Sequence, residues 1–327
     1  LPPMTANCTF TPPWLLRNPH VQSILNSVGP RKIRAKRLAR KLCSQQLILT
    51  ASDGTRLKAE FDRSDSGKNA LVILLHGWEG SSQSAYTVTT ANYLLKHGYH
   101  VLRLNMRDHG DTQHLNYGLF NSTLTPEVAD VIAAFTAQHT FSKIFLAGFS
   151  LGGNFTLRIA ADSGQDLNLT AAVAICPPID PVNAMTALDN APVIYEKYFF
   201  KRWSTSLRKK LEHFPEYDFA DDLNRARCLS DMNTLFIHRY TPFDDVDTYF
   251  RSYALTGSRL ANLRVPTHLI ASADDPILPV TDIARIDSNE SLSIDIQPYG
   301  GHCGFIKNLA GHSWIEPKLV ELFDRYL

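Results

Sequence analysis

The stretch that decides the fold reads Lys143-Ile-Phe-Leu-Ala-Gly-Phe-Ser-Leu-Gly-Gly-Asn-Phe-Thr-Leu-Arg-Ile-Ala160. Its apolar residues 144–147 predict a buried strand, and the apolar spacing after Ser150 predicts a helix. Between strand and helix stands a G-x-S-x-G match, Gly148-Phe149-Ser150-Leu151-Gly152. This order of strand, glycine-flanked serine and helix is typical of a nucleophile elbow, the turn that presents a catalytic serine.

The chemistry of a nucleophilic serine explains each part of this pattern. Ser150 must sit on a tight turn so that its hydroxyl projects above the sheet, and Gly148 and Gly152 have no Cβ to collide there. The free N–H groups at the start of the helix favour negative charge that develops beside the serine. The alternative is an ordinary strand-to-helix turn in which Ser150 only caps the helix.

Length and composition limit the class of protein. With 327 residues, the chain can form one large α/β domain or two ordinary domains. Its 44% hydrophobic and 20% charged content is ordinary for a soluble globular protein, and a net charge of +1 gives no overall attraction to nucleic acid. No apolar run approaches the roughly 20 residues that span a bilayer, and the N-terminus lacks a signal-peptide pattern.

The cysteines indicate the redox compartment. Their number is odd and no C-x-x-C pair occurs, so the sequence predicts reduced thiols in a cytoplasmic protein rather than a disulfide framework. The five are Cys8, Cys43, Cys176, Cys228 and Cys303.

Short apolar runs alternate with helical patterns along most of the chain. This alternation predicts an α/β fold with a doubly wound, mostly parallel sheet, preceded by an antiparallel hairpin over residues 45–62. Active sites in such sheets gather at the carboxyl ends of the strands. The predicted parallel strands cover residues 70–75, 100–105, 144–147, 171–175, 266–272 and 292–297.

Residues 1–44 form a predicted arm before the sheet. Prolines make the arm irregular, apart from one short helix over residues 21–27. The basic run from Arg31 to Lys41 has two interpretations. It can make a peripheral contact with anionic lipid or another polyanion. We favour a solvated connector, because no aromatic anchor lies within the run.

The loop after the run 70–75 is the candidate second half of an oxyanion hole. It reads His76-Gly77-Trp78, and in this architecture a backbone N–H after the third sheet strand helps to hold the developing oxyanion. Gly77 would let the chain approach the reacting carbonyl, and the N–H groups of Trp78 and Leu151 would bind the oxyanion. The alternative is a simple strand-exit loop whose histidine makes a local hydrogen bond.

The pattern changes between residues 179 and 263, where aromatic and charged residues dominate and helical spacing fits best. We predict a helical cap inserted in a core of residues 45–178 and 264–327. Such a cap would lie over the serine, form the walls of an acyl pocket and exclude water. The alternative is a packed helical subdomain without substrate contact.

A carboxylate and a histidine follow the last two predicted strands. Asp275 is the candidate acid, which would orient the histidine, and Asp274 is its competitor. His302, among three glycines, is the candidate base that takes the proton from Ser150. The chain order serine, aspartate, histidine matches this architecture. The alternative for His302 is a residue of an ordinary turn.

Two further groups could carry chemistry, and we assign a catalytic role to neither. His109, Asp111 and His114 are close in sequence but meet no metal-ligand spacing, so no metal is predicted. Cys303 stands beside the candidate base, yet it lacks an elbow and is interpreted as a packing residue.

Five motifs together resemble a known family. They are Asn18-Pro19-His20-Val21-Gln22, His76-Gly77 followed by Gly80-Ser81-Ser82, Gly148-Phe149-Ser150-Leu151-Gly152-Gly153-Asn154, Asp274-Asp275-Pro276, and Gly301-His302-Cys303-Gly304-Phe305. In these motifs the chain resembles the α/β-hydrolase superfamily over roughly residues 45–327, and more narrowly its YheT-like branch, which is related to mammalian abhydrolase-domain lipid esterases. The resemblance implies hydrolysis of acyl or lipid-like carboxylic esters by Ser150, Asp275 and His302 without a cofactor.

One loop departs from that family pattern. Members tend to carry Arg-Gly and then Tyr-His-Gly after the fourth strand, whereas this chain reads Arg107-Asp108-His109-Gly110 and later Gly118-Leu119-Phe120-Asn121. The departure changes the expected mouth of the pocket, and therefore the substrate.

The sequence therefore predicts a serine hydrolase that cleaves carboxylic esters through an acyl-enzyme. Acyl transfer by the same triad and a non-catalytic binding protein on the same fold are the alternatives. The expected partner is a small acyl ester or lipid, with no nucleic acid, cofactor or metal. The sequence does not determine acyl length, head group or oligomeric state.

Overall fold

The computed structural model describes residues 9–65 and 67–327; the first eight residues of the predicted arm, with Cys8, lie outside this part of the chain. Within the described residues a single eight-stranded sheet forms the centre of the molecule. Its strands are β1 (Gln45–Thr50), β2 (Arg56–Asp62), β3 (Ala70–Leu75), β4 (His100–Leu104), β5 (Lys143–Phe149), β6 (Ala171–Ile175), β7 (Thr267–Ser272) and β8 (Leu292–Gln297).

The strand order is β1-β2-β4-β3-β5-β6-β7-β8. Strands β1 and β2 form an antiparallel hairpin, β2 also pairs antiparallel with β4, and all strands from β3 to β8 run parallel. The predicted hairpin and mostly parallel sheet are therefore confirmed. The predicted runs 70–75, 171–175 and 292–297 have the same bounds as the observed strands.

Eleven α-helices surround the sheet in the described part of the chain, and none of them combines the length and apolar character needed to cross a membrane. They are α1 (Pro19–Leu25), α2 (Gly29–Ala39), α3 (Ala85–Lys96), α4 (Thr125–Ala137), α5 (Leu151–Asp162), α6 (Pro181–Asn190), α7 (Val193–His213), α8 (Ala220–Arg225), α9 (Leu229–Tyr240), α10 (Val246–Ser252) and α11 (Ile315–Asp324).

Helices cover both faces of the central strands, which explains their unbroken apolar sequences. Every residue of β3 and β6 is buried. Because side chains alternate along a strand, Leu71 and Ile73 belong to the apolar core with α4 and α5, whereas Val72 and Leu74 belong to the core with α3 and α11. The edge strands β1 and β8 expose about half of their residues, as one-sided strands do.

The strand order changes direction around β3, because β4 lies on one side of it and β5 on the other. Leu75, the last residue of β3, pairs with Gly148 near the end of β5. In open α/β sheets the crevice outside such strand ends is where ligands bind. The loops that begin at His76 and at Ser150 therefore start side by side in this crevice.

Between β6 and β7 the alternation of strands and helices stops, and helices α6 to α10 follow one another. We call residues 179–263 the cap segment. It contains a buried cluster of its own, in which the rings of Phe219 and Phe236 lie 5.0 Å apart and pack with Met232. This cluster explains the aromatic-rich composition, because a small core needs large side chains to bury enough apolar area.

The basic run is not a solvated connector, and that interpretation is wrong. Residues 29–39 form α2, in which Arg31 is buried and lies 3.6 Å from Glu316 of α11. Ala35, together with Leu38 and Ala39, packs against α3. The helical spacing of these small and apolar residues was the sequence signal for a packed helix.

Candidate active site

Ser150 stands on the strained turn that the elbow pattern predicts. Its backbone angles are φ 54° and ψ −121°, a region that residues with a Cβ seldom occupy. A Cβ on Gly148 would lie 2.0 Å from the carbonyl oxygen of Gly152, and a Cβ on Gly152 would lie 2.4 Å from that of His76. Both glycines are therefore required by the close approach of neighbouring backbone.

The three predicted side chains meet in one hydrogen-bonded row. The Ser150 hydroxyl oxygen lies 2.8 Å from Nε2 of His302, and Nδ1 of the same imidazole lies 2.8 Å from Oδ2 of Asp275. The Asp275 side chain is 4% exposed and that of His302 is 13% exposed. The row runs from a buried carboxylate to the hydroxyl of Ser150, which lines two cavities.

The structure distinguishes Asp275 from Asp274, the other candidate for the acid. Besides His302, Asp275 accepts hydrogen bonds through Oδ1 from the backbone N–H groups of Ile277 and Leu278, at 3.0 Å each. Asp274 points elsewhere: its Oδ1 accepts from the N–H of Gly301, and its buried Oδ2 has no partner among the described residues. Only Asp275 contacts the imidazole.

The N-terminal arm holds the loop that carries His302, which we did not predict from the sequence. The Ser23 hydroxyl accepts a hydrogen bond of 2.8 Å from the backbone N–H of His302. The fully buried Gln22 accepts from the N–H of Ile306 at 2.6 Å and donates to its carbonyl oxygen at 3.2 Å. A Cβ on Gly301 would lie 2.4 Å from the carbonyl oxygen of Pro19. The motif over residues 18–22 was the available signal.

The electrostatic surroundings favour a basic imidazole. Burial lowers the pKa of His302, but the Asp275 carboxylate and the Cys303 side chain raise it, and the net result is a pKa well above the usual 6.5. The Cys303 Sγ atom lies 4.0 Å from Nε2 of the same imidazole and contacts the backbone carbonyl of Ile175 at 3.6 Å. Cys303 is buried, as expected for a packing residue.

The backbone N–H groups of Trp78 and Leu151, near Ser150, make no hydrogen bond within the described residues. Leu151 directly follows the serine and begins α5. The chain before Trp78 also passes close to the serine, because a Cβ on Gly77 would lie 3.1 Å from the Ser150 Cβ. The predicted oxyanion donors are therefore unengaged within the described residues and lie on chain segments that pass close to Ser150.

The imidazole rings of His76 and His109 are held by hydrogen bonds to backbone groups. The fully buried His76 donates from Nδ1 to the carbonyl oxygen of Gly77 at 2.8 Å and accepts at Nε2 from the N–H of Met106 at 3.1 Å. His109 donates from Nδ1 to the carbonyl oxygen of Arg107 at 2.7 Å. Burial lowers the pKa of His109 to about 4, so the ring is neutral at physiological pH.

A largely apolar cavity of about 1270 Å³, including space open to solvent, extends from Ser150 between the core and the cap segment. We call it the acyl cavity. Its apolar walls include Leu119, Phe120, Met185, Leu188, Phe199, Trp203, Leu207, Phe236, Ile237, Tyr249 and Phe250.

One wall of the acyl cavity contains a buried ion pair that joins the cap segment to the core. Lys210 of α7 is 1% exposed and donates from Nζ to Oδ1 of Asp108 at 2.8 Å and to the carbonyl oxygen of Gly118 at 3.2 Å. Oδ2 of Asp108 accepts from the N–H of Phe120 at 2.9 Å. The pair therefore connects α7 with the loop that departs from the family pattern.

We expect Lys210→Met to lower the free energy of unfolding by about 3–5 kcal/mol, because it leaves Asp108 buried without a counter-charge. Burial already raises the pKa of Asp108, so protonation of Asp108 at low pH will reduce this loss. Lys209→Met is the matched control. The partner of Lys209, Asp111, is exposed. We therefore expect loss of this ion pair to lower the free energy of unfolding by less than about 1 kcal/mol. Chemical denaturation measures the free energy of unfolding of both variants. Equal losses would contradict the stabilising role given to the buried pair of Lys210 and Asp108.

The comparison with known proteins agrees with this geometry. Residues 72–310 match the alpha/beta hydrolase family. The chain belongs to the alpha/beta hydrolase family. The resemblance in the elbow, acid and histidine motifs is thus confirmed at the level of the family, and the predicted α/β-hydrolase fold is confirmed with it.

Within this family the chain belongs to the YheT-like branch. It is 23% identical over 332 residues to "Putative esterase YheT" of Escherichia coli, covering 99% of this chain and 95% of that protein. An abhydrolase domain-containing protein of Dictyostelium discoideum is 25% identical over 336 residues, covering 100% of this chain and 83% of its own length. The fold is shared with esterase Pf2001 of Pyrococcus furiosus, at a TM-score of 0.58 and 18% identity, over 89% of this chain and 92% of that one.

Proposed function

We propose that this α/β-hydrolase cleaves carboxylic esters and that Ser150, His302 and Asp275 form its catalytic triad. The observation that carries the proposal is the row of two 2.8 Å hydrogen bonds that ends on the hydroxyl of a strained elbow. The esterase names of relatives in the branch support it.

In the first step the Ser150 oxygen attacks the ester carbonyl while Nε2 of His302 takes the hydroxyl proton. Asp275 stabilises the imidazolium through its bond to Nδ1. The tetrahedral intermediate collapses when the same proton passes to the leaving alcohol, which leaves an acyl-enzyme on Ser150. Water then repeats the sequence, releasing the acid and restoring the serine.

The N–H groups of Trp78 and Leu151 are the proposed donors to the oxyanion, because they are unengaged in the described chain and lie beside the serine. The acyl chain is proposed to enter the acyl cavity, whose aromatic and aliphatic walls match an apolar chain. The cap segment would then act as the predicted cap, shielding the acyl-enzyme from bulk water.

Reaction with a fluorophosphonate probe tests the proposal most directly. We expect the probe to label Ser150, identified by peptide mass spectrometry, and pretreatment with it to abolish hydrolysis of activated acyl esters. A series of nitrophenyl esters of increasing chain length then reports how the acyl cavity limits the substrate. Labelling at another residue, with Ser150 unmodified in inactivated enzyme, would refute the assignment.

We expect kcat/KM to rise with pH and to reach half of its maximum above pH 6.5. His302 can act as a base only when deprotonated, and the pKa of this imidazole is raised above its usual value. Asp275→Asn removes a group that raises this pKa, so the midpoint will move to lower pH while the rate falls at every pH. Asp274→Asn, which changes no contact of the imidazole, will keep the wild-type midpoint. A pH-independent rate between pH 5 and 9 would exclude His302 as the base.

Acyl transfer is the second candidate, because a cavity other than the acyl cavity also opens on Ser150 and His302 and could admit an alcohol. Product analysis with a competing short alcohol separates the two. Formation of free acid alone indicates hydrolysis. If the fraction of product that is ester exceeds the mole fraction of alcohol in the mixture of alcohol and water, the enzyme favours acyl transfer.

A further inference from the structure

A second cleft of about 1910 Å³, including space open to solvent, reaches Ser150 and His302 beside the acyl cavity. We call it the alcohol-side cleft. Its walls come from α1, α2, the loop after β3 and the start of α7. An ester has an acyl half and an alcohol half on either side of its carbonyl. Two cavities that meet at the nucleophile can therefore receive both halves at once.

Helix α2 turns one face to the alcohol-side cleft, formed by Lys32, Ala35, Lys36 and Ala39. The two lysines are one turn apart, and neither has a carboxylate within 4 Å among the described residues. Like charges at this spacing repel each other. On the same helix, Arg31 and Arg34 are both paired with Glu316 of α11, which does not line the cleft, so the two cleft lysines do not share this counter-charge.

A third cation, Arg202 of α7, faces the same cleft. Its guanidinium donates to the backbone carbonyl of Glu79, and it too has no carboxylate partner within the described chain. Glu79 is the one carboxyl group among the described residues that line the cleft. Burial raises the pKa of Glu79 to about 7, so this group is only partly charged at neutral pH. The cleft is therefore locally cationic on a chain whose net charge is only +1.

We propose that the alcohol-side cleft binds the leaving group of the substrate and selects leaving groups that carry a phosphate monoester, held by Lys32, Lys36 and Arg202. This inference rests on the proposed ester hydrolysis. A phosphate monoester carries close to two negative charges at neutral pH, and lysine ammonium groups bind phosphate as point charges. The apolar rim residues Ile24, Val28 and Ile194 can contact the carbon skeleton of the alcohol.

Three octanoyl esters, used below their critical micelle concentrations, test this selectivity: octanoyl glycerol, octanoyl glycerol phosphate and octanoyl glycerophosphocholine. They share the acyl half, so their rates differ only through the leaving group. We expect kcat/KM for the phosphate monoester to exceed that for the neutral ester by roughly tenfold at low ionic strength. The advantage will shrink as salt is added, and the zwitterionic ester will resemble the neutral one.

The double variant Lys32→Glu with Lys36→Glu is expected to lower the ratio of phosphate ester to neutral ester by at least about tenfold. Arg37→Glu with Arg40→Glu is the matched control. It makes the same change in net charge at exposed positions at the end of the same helix, outside the cleft, and will keep the wild-type ratio. An unchanged ratio in the cleft variant, or an equal loss in the control, would overturn the proposal while leaving the ester hydrolase intact.

Binding of glycerol phosphate, followed by calorimetry, gives a readout that needs no catalysis. We expect saturable binding to the wild-type protein and to the control variant, and none to the cleft variant. Absence of binding to the wild-type protein would refute phosphate binding in the alcohol-side cleft, even if esters are hydrolysed. Binding without hydrolysis would refute the proposed ester hydrolysis alone. A phosphate preference seen only for substrate in vesicles would assign the lysines to a lipid surface and also overturn the proposal.

Discussion

Ser150→Ala is expected to lower kcat for activated acyl esters by at least about 1000-fold. The substitution removes the oxygen that is proposed to attack and that donates the 2.8 Å hydrogen bond to Nε2 of His302, while the strained backbone of the elbow is unchanged. Residual rate would come from the oxyanion donors and from substrate binding. Steady-state rates, with a fluorophosphonate labelling experiment on the same sample, measure the effect.

Cys303→Ala is the control for this prediction. The thiol is the other nucleophilic group near the imidazole, with Sγ at 4.0 Å from Nε2, but it is buried. We expect the variant to keep its rate within about tenfold of the wild-type value, the loss reflecting packing beside His302. If Cys303→Ala were inactive and Ser150→Ala active, the nucleophile would be the thiol.

Asp275→Asn is expected to lower kcat by about 1000- to 10000-fold, the size of effect seen when a triad aspartate is replaced in other serine hydrolases. The new amide oxygen can keep the hydrogen bonds from Ile277 and Leu278. Its NH₂ group then faces Nδ1 of His302 and must donate to it. The imidazole proton is forced onto Nε2, which can no longer accept the proton of Ser150.

Asp274→Asn is the matched control for the acid. The carboxylate accepts from the N–H of Gly301 and does not touch the imidazole, and an amide oxygen can accept the same bond. We expect less than about a tenfold change in kcat. Thermal unfolding of both variants separates loss of chemistry from loss of fold. A larger loss for Asp274→Asn than for Asp275→Asn would reverse the assignment of the acid.

The central strands were predictable because both of their faces are covered. Strand β3 reads as six apolar residues in succession and all six are buried, so burial, length and boundaries all follow from one local pattern. The edge strands follow from β-propensity and turn residues instead. The bounds of β8 were still predicted correctly, although its burial is irregular.

Our interpretation of the basic segment was wrong because the number of charged residues does not show which way each side chain points. The cations of α2 share one helix but have different environments: Arg31 and Arg34 pair with Glu316, whereas Lys32 and Lys36 face the alcohol-side cleft. Glu316 lies far away in sequence, in a helix that also carries Glu321 and Asp324. No local pattern indicates which arginine it contacts.

By itself, the sequence determined the α/β sheet, the nucleophile elbow and the candidates for acid and base, because each is a local pattern of spacing, glycine positions and apolar runs. Only the tertiary structure decided that Asp275 rather than Asp274 faces His302, that the N-terminal arm holds the histidine loop, and that two cavities meet at Ser150. These features depend on how segments from 27 to 279 residues apart in the chain pack against each other, and the direction of a side chain across such a contact is set by both partners together.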